Sequence, residues 1–301
     1  MIGLALLAYA IPYALRARTL ARRGRPVPGW RLWCFGAGLA VLALAVSPPV
    51  LDLAGSELSA HMAEHLLIAD VASLLLVLGL TGPLLAPLLR VGALDRLRAL
   101  GHPVVAFALW AANLYLWHLA SAYEGALRHE LVHVVQHLLF LLLGMNLWMP
   151  LFGPFPKPDW FGIPAQLVYI VAVRLVGAVL ANAFVWSGTV FYGWYDDLED
   201  QSVAGAVMMV EESVVTVALF GWLFMKWMRE GAERQEIVEL ASARGIEVDE
   251  RRVARAVAAG RGDELRSRLT APERGTAACA GASEPRRPAA ARPPRGPDPR
   301  P

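Results

Sequence analysis

Cysteine is nearly absent from this chain of 301 residues: only Cys34 and Cys279 occur, far apart and outside any Cys-x-x-Cys pair. That excludes a disulfide framework and a thiolate metal site. Charge is scarce too, with Asp, Glu, Lys and Arg at 18% against 56% apolar residues. So low a charge fraction excludes an ordinary soluble domain of this length. No Gly-x-Ser-x-Gly elbow or glycine-rich phosphate loop occurs. The run "HMAEH" at 61–65 carries its glutamate directly before the second histidine, not after the first, so it does not read as the His-Glu-x-x-His protease motif. The arginines of the C-terminal stretch are interleaved with no aromatics, which argues against a nucleic-acid surface. The expectation is a protein that is not an enzyme.

What the chain does have is apolar blocks. Seven windows, roughly 2–16, 31–51, 62–84, 103–120, 131–151, 164–187 and 203–225, approach the ~20 residues that cross about 30 Å of hydrocarbon. The first is short enough to be taken for a signal peptide. It has no basic residue ahead of it, is interrupted by "IPY" and precedes no small-residue cleavage site, so a first membrane helix is the better expectation. The fold predicted is an all-α bundle of seven transmembrane helices over 1–228.

Basic residues set the expected orientation. Arg16, Arg18, Arg22, Arg23, Arg25 and Arg31 surround the first loop, Arg90, Arg96 and Arg98 lie in the third, Lys157 in the fifth, and Lys226 and Arg229 follow the last window. The alternate loops hold Arg128 as their only fixed cation, and "YDDLEDQ" makes the sixth acidic with Asp196, Asp197, Glu199 and Asp200. By the positive-inside rule the odd loops and the tail are cytoplasmic and the N-terminus is outside. The net charge of +2 only averages these two sides. Residues 229–270 alternate charged and aliphatic side chains and read as short amphipathic helices, most simply a solvated appendage. Residues 271–301, rich in Pro and Arg, are too poor in apolar side chains to fold alone.

With depth assigned, the histidines segregate. His61 and His65, His118, and His129, His133 and His137 all fall in the outer third of the membrane or just above it; only His102 falls on the other side. A single interfacial histidine, such as His118 or His129, reads as an amphipathic residue at the headgroups. Two i, i+4 pairs, His61 with His65 and His133 with His137, place two imidazoles on one face of each of two helices. Neutral imidazole is the commonest metal ligand. Met62, and Met208 with Met209 at a similar depth, add thioether sulfur, which with imidazole suits copper and Cu(I) above all. Zinc remains open, and packing is the plain alternative for each methionine. Metal affinity should fall on acidification through the histidine range near ~6.5, since a protonated imidazole cannot ligate.

A second group lies deeper. Asp70, Arg174, Glu211 and Glu212 fall near mid-bilayer, where an isolated charge costs ~2.5 kcal/mol or more. They are expected to face the bundle interior, with Arg174 the one fixed cation for three carboxylates, as a structural ion pair or as a path for ions or protons. Histidines from two helices would alternatively suit b-type haem, without needing i, i+4 pairs.

The segments "HMAEHLLIADVASLLLVLGL", "WHLASAYEGALRHELVHVVQHLLFLLLGMNLWMPLFGP" and "YDDLEDQSVAGAVMM" resemble the CtaG-type cytochrome c oxidase assembly factors, seven-span proteins of bacterial plasma membranes. The resemblance runs from about residue 28 to 230. It places His61, His65, His118, His129, His133, His137, Asp200, Gln201 and Met208 on the family's recurrent polar positions. It departs where Met209 stands in place of an expected Trp, and at Glu211 and Glu212. The resemblance implies a role in assembling haem–copper oxidases, with oxidase subunits as partners; copper rests on the ligand reading. Together these predict an assembly factor that takes up copper at the outer face, where the acidic loop Asp196–Asp200 would enrich cations, through His61, His65, His133 and His137 with Met208 or Met62. The alternatives are a metal or proton transporter and a haem-bearing electron carrier.

Overall fold

The computed structural model describes residues 2–87 and 97–270. Arg90, Arg96, Cys279 and the Pro/Arg-rich stretch 271–301 lie outside the described residues, and so does the expectation of disorder placed on that stretch. All described regular structure is helical. In chain order the helices are α1 (Ile2–Arg22), α2 (Gly29–Ala45), α3 (Pro48–Ser56), α4 (Leu58–Leu66), a π-helical turn (Leu67–Ala72), α5 (Ser73–Gly79), α6 (Gly82–Leu85), α7 (Leu97–Leu100) and α8 (Pro103–Trp117). After them come α9 (Ala120–Arg128), α10 (Glu130–Phe152), α11 (Ile163–Trp186), α12 (Leu198–Ala243), α13 (Glu250–Ala258) and α14 (Gly262–Thr270).

Four helices are long and apolar enough to cross a membrane: the continuous run Leu58–Gly79, α10, α11 and α12. The pairs α2–α3 and α8–α9 pass together but bend by 50° and 72°, giving up to six spans among the described residues. The windows read at 31–51 and 103–120 are therefore broken helices. At the first break Ser47 is extended (φ −76°, ψ 149°) and Pro48 opens α3, because a residue before proline is pushed out of the α region while proline suits a first helical turn. At the second, Leu119 is extended (φ −67°, ψ 133°) beside His118.

The outward faces are apolar. On α11, Val168, Val171, Leu175 and Val179 are exposed in sequence steps of three and four, a helical stripe that lipid covers and water would not. Inward, small residues bring helices together. Gly144 of α10 rests against the Ala69 carbonyl of the π turn, and a Cβ there would stand 2.9 Å from Ser73 Oγ. The π turn widens the helix by one residue, and the Ser73 hydroxyl turns back onto the Ala69 and Asp70 carbonyls. This close crossing sets α4 and α10 side by side. Apolar clusters flank the junction: Ile68, Leu76, Trp117 and Phe140 on one side, and Leu58, Tyr123, Phe184 and Tyr192 on the other.

The chain divides into two compact units, one ending at Arg229 and one beginning at Glu230. In the second, Ile237, Val253 and Val257 form a small core of their own, and the Asp249 carboxylate caps α13 by accepting from the Arg251 N–H at 2.9 Å. The first stretch of the expected tail helices is the continuation of α12 to Ala243.

Candidate metal centre

The i, i+4 spacing works as the helical repeat dictates. His61 and His65 project from α4, His133 and His137 from α10, and the four rings meet. His61 and His133 have ring centroids 5.4 Å apart, His65 and His137 5.3 Å, and the two intrahelical pairs 4.3 and 4.2 Å. His61 Nε2 lies 3.0 Å from His65 Nε2. Nitrogens sharing a tetrahedral ion at 2.0–2.1 Å stand about 3.3 Å apart, so this spacing suits a common cation. His61, His65 and His133 each offer a nitrogen within 4.8 Å of the others, and so do Glu64, His133 and His137 with one ligand atom each.

The outer partner of His61 fixes its lone pair. Tyr195 O–H donates to the Ala54 carbonyl at 2.6 Å, and His61 Nδ1 lies 2.9 Å from the same phenol oxygen. A carbonyl only accepts, so the phenol proton goes to Ala54 and its oxygen accepts from His61 Nδ1–H. Nε2 is then the bare, ligating nitrogen. Burial, reinforced by the Glu64 and Asp200 carboxylates, raises the Tyr195 phenol above its ordinary range, so it keeps its proton. His118 follows the same logic: Nδ1 is 2.7 Å from the Leu114 carbonyl, leaving Nε2 as a lone pair that is buried and unpartnered. It borders a cavity of about 30 Å³ with His65, Met62, Met208 and Asp70. Met62 and Met208, 1% and 3% exposed, thus line a space next to the imidazole cluster.

Other expected residues have different places. His129 is exposed at the N-cap position of α10, where its ring makes no capping hydrogen bond. Asp200 does not lie free to enrich cations: its carboxylate accepts from the Leu58 and Ser59 N–H groups at 2.5 and 3.2 Å, capping α4. Asp197 likewise accepts from Glu199 and Asp200 N–H. Gln201 is buried and ties down its loop, accepting from Phe191 N–H at 2.8 Å and donating to the Thr189 carbonyl at 3.1 Å.

The deeper group gathers as a unit. Arg174 of α11 pairs with Glu212 of α12 and donates to Ser213 Oγ (3.0 Å) and the Met209 carbonyl (3.3 Å). Gly177, one turn on, leaves room for the Glu212 side chain. Asp70, Arg174, Glu211 and Glu212 line one cavity of about 30 Å³, and Asp70 and Glu212 also line the one beside His65. Arg174 does not serve all three carboxylates equally: the Glu211 oxygens are buried without a hydrogen-bond partner.

Sequence reasoning missed Glu64, Tyr195 and the His-Glu-x-x-His order of residues 129–133, of which His129 and Glu130 are exposed and only His133 joins a ligand set. Glu64 is 0% exposed, and its carboxylate stands 3.3 Å from His137 Nε2, aligned for no hydrogen bond. The signal was in the spacing. In His-x-x-Glu-His the glutamate stands at i+3 from the first histidine and so lies on the His61 side of the helix, an order that inverted zinc peptidases also use. Tyr195 had no signal, since its contact with His61 spans 134 residues of sequence.

The match to the family described as cytochrome c oxidase caa3 assembly factor (Caa3_CtaG) covers residues 11–230. The chain belongs to this family. Uncharacterized proteins of Mycobacterium bovis and Mycobacterium tuberculosis are each 26% identical over 256 residues, which cover 76% of this chain and 39% of theirs. One of Mycobacterium leprae is 23% identical over 258 residues, covering the same shares. The chain thus spans less than half the length of these curated relatives. No solved structure matches it. As a member of the Caa3_CtaG family with several apolar spans and bacterial relatives, the protein is a multi-pass protein of the bacterial plasma membrane.

Proposed function

We propose that this assembly factor handles copper: that it takes up Cu(I) on the imidazoles of His61, His65, His133 and His137 and passes it to an apo-oxidase subunit docked beside it. The observation that carries the reading is the convergence of four imidazoles from two helices, with the His61 lone pair aimed inward by Tyr195 and Ala54. Neutral nitrogen donors, with Met62 and Met208 sulfur along the adjoining cavity, favour Cu(I) over harder ions. The reading carries seven spans, counting α1, with the N-terminus and the histidine end outside, as the arginine distribution implies. The role is that of a carrier rather than a catalyst.

The test is equilibrium competition for Cu(I) on purified protein, with oxidase copper content in a deletion strain. A His61/His65/His133/His137→Ala variant should lose high-affinity Cu(I) and fail to restore oxidase copper; unchanged affinity in that variant would sink the site. A transport reading has one specific support, the line of cavity residues from His65 through Asp70 to Arg174 and Glu211. Copper flux in proteoliposomes distinguishes it, because a carrier need not move ions across the bilayer. Haem is less favoured: the four rings stand against one another, at centroid distances of 4.2–5.4 Å, rather than across a macrocycle.

A further inference from the structure

The copper reading gives Glu64 no role. The residue is fully buried, both carboxylate oxygens are without a hydrogen-bond partner, and His137 Nε2 stands 3.3 Å from one of them. A buried carboxylate with no partner is costly, and holding an ion is one use that offsets the cost. The ligand atoms of Glu64, His133 and His137 fall within 4.8 Å of one another, and those of His61, His65 and His133 do so as well. The two sets share only His133. One is all nitrogen and neutral; the other includes a carboxylate, which is harder and anionic.

We infer that the four-histidine centre divides into two overlapping metal seats that pivot on His133: His61, His65 and His133 for Cu(I), and Glu64, His133 and His137 for a divalent ion. This rests on the copper reading above and adds the carboxylate seat to it. Thiophilic Cu(I) gains little from oxygen, whereas divalent zinc and cobalt accept two imidazoles and a carboxylate. A water-activating role for Glu64, as in the inverted peptidases, needs an open coordination position beside it; here Glu64 is fully buried and both oxygens are shut off from solvent. Because His133 serves both sets, the two seats compete, and an ion leaving one needs to exchange only two ligands to occupy the other.

The experiment uses the full chain in detergent, with Cu(I) measured by chelator competition and Co(II) as the divalent probe, read by its ligand-field absorption. Glu64→Gln should retain Cu(I) affinity and lose Co(II) by more than about a hundred-fold, since even outer partners of a ligand are worth ~10–100-fold. His61→Ala should do the reverse, losing Cu(I) and keeping Co(II). It also provides the test should Glu64→Gln not fold. Co(II) binding that survives Glu64→Gln, or is lost with His61→Ala, overturns the carboxylate seat. Wild-type protein that binds Cu(I) but no Co(II) overturns it while leaving the copper reading intact; binding of neither removes both.

Discussion

At the scale of single residues, the decisive feature is which nitrogen of each histidine is free. Spacing placed His61 and His65 on one face of α4, and His133 and His137 on one face of α10. It carried no information on tautomers, because the groups that fix them come from elsewhere: Tyr195 and Ala54 for His61, and the Leu114 carbonyl for His118. Tyr195→Phe removes the acceptor of His61 Nδ1–H while keeping the ring that packs in the core. Cu(I) affinity should fall by ~10–100-fold, the usual worth of an outer partner, with helix content by circular dichroism unchanged. Unaltered affinity would mean that His61 is oriented by packing alone. Asp200 shows the opposite case, a residue whose charge suggested ion capture and whose position makes it a cap.

Among the elements, α4 depends on its neighbours for its first turn. The side chain at its own N-cap position, Glu57, makes no capping hydrogen bond, and Asp200, 142 residues away, supplies the acceptor to Leu58 N–H. An anion there satisfies free N–H groups and opposes the positive end of the helix dipole. Asp200→Ala should cost ~0.5–2 kcal/mol, the range for loss of a capping side chain, seen as a lower Tm in detergent. The salt dependence of Cu(I) uptake should stay as in wild type; a weakened dependence would restore Asp200 to a role in attracting cations. The apolar windows located the helices but not their breaks. Pro48 and Pro49 could be read as a stop, whereas the 72° bend between α8 and α9 has no proline, and the π turn has no mark in the sequence. That turn and Gly144 set how closely α4 meets α10.

Across the whole molecule, Arg174 and Glu212 tie α11 to α12, with Asp70 of the π turn bordering the same cavity. The sequence required Asp70, Arg174, Glu211 and Glu212 to face inward, because lipid would not tolerate them. It did not say which would pair. Arg174→Gln leaves Glu212 without its cation and should destabilise by less than the ~3–5 kcal/mol of a fully buried pair, because both side chains are only partly buried. Arg174→Met with Glu212→Met should recover much of that loss. Thermal unfolding of both variants in detergent measures the difference, and equal loss in the two would remove the ion pair as the cause. What the sequence determined by itself was the class: apolar blocks too long and too poor in charge for anything but a membrane bundle, two helices each carrying a histidine pair on one face, and the family. Those depend on composition and on the helical repeat, which are local. The ligand sets, the capping of α4 by Asp200, the inward lone pair of His61 and the enclosure of Glu64 were decided only by tertiary structure. Each joins residues far apart in the chain, and no local period encodes which helix faces which.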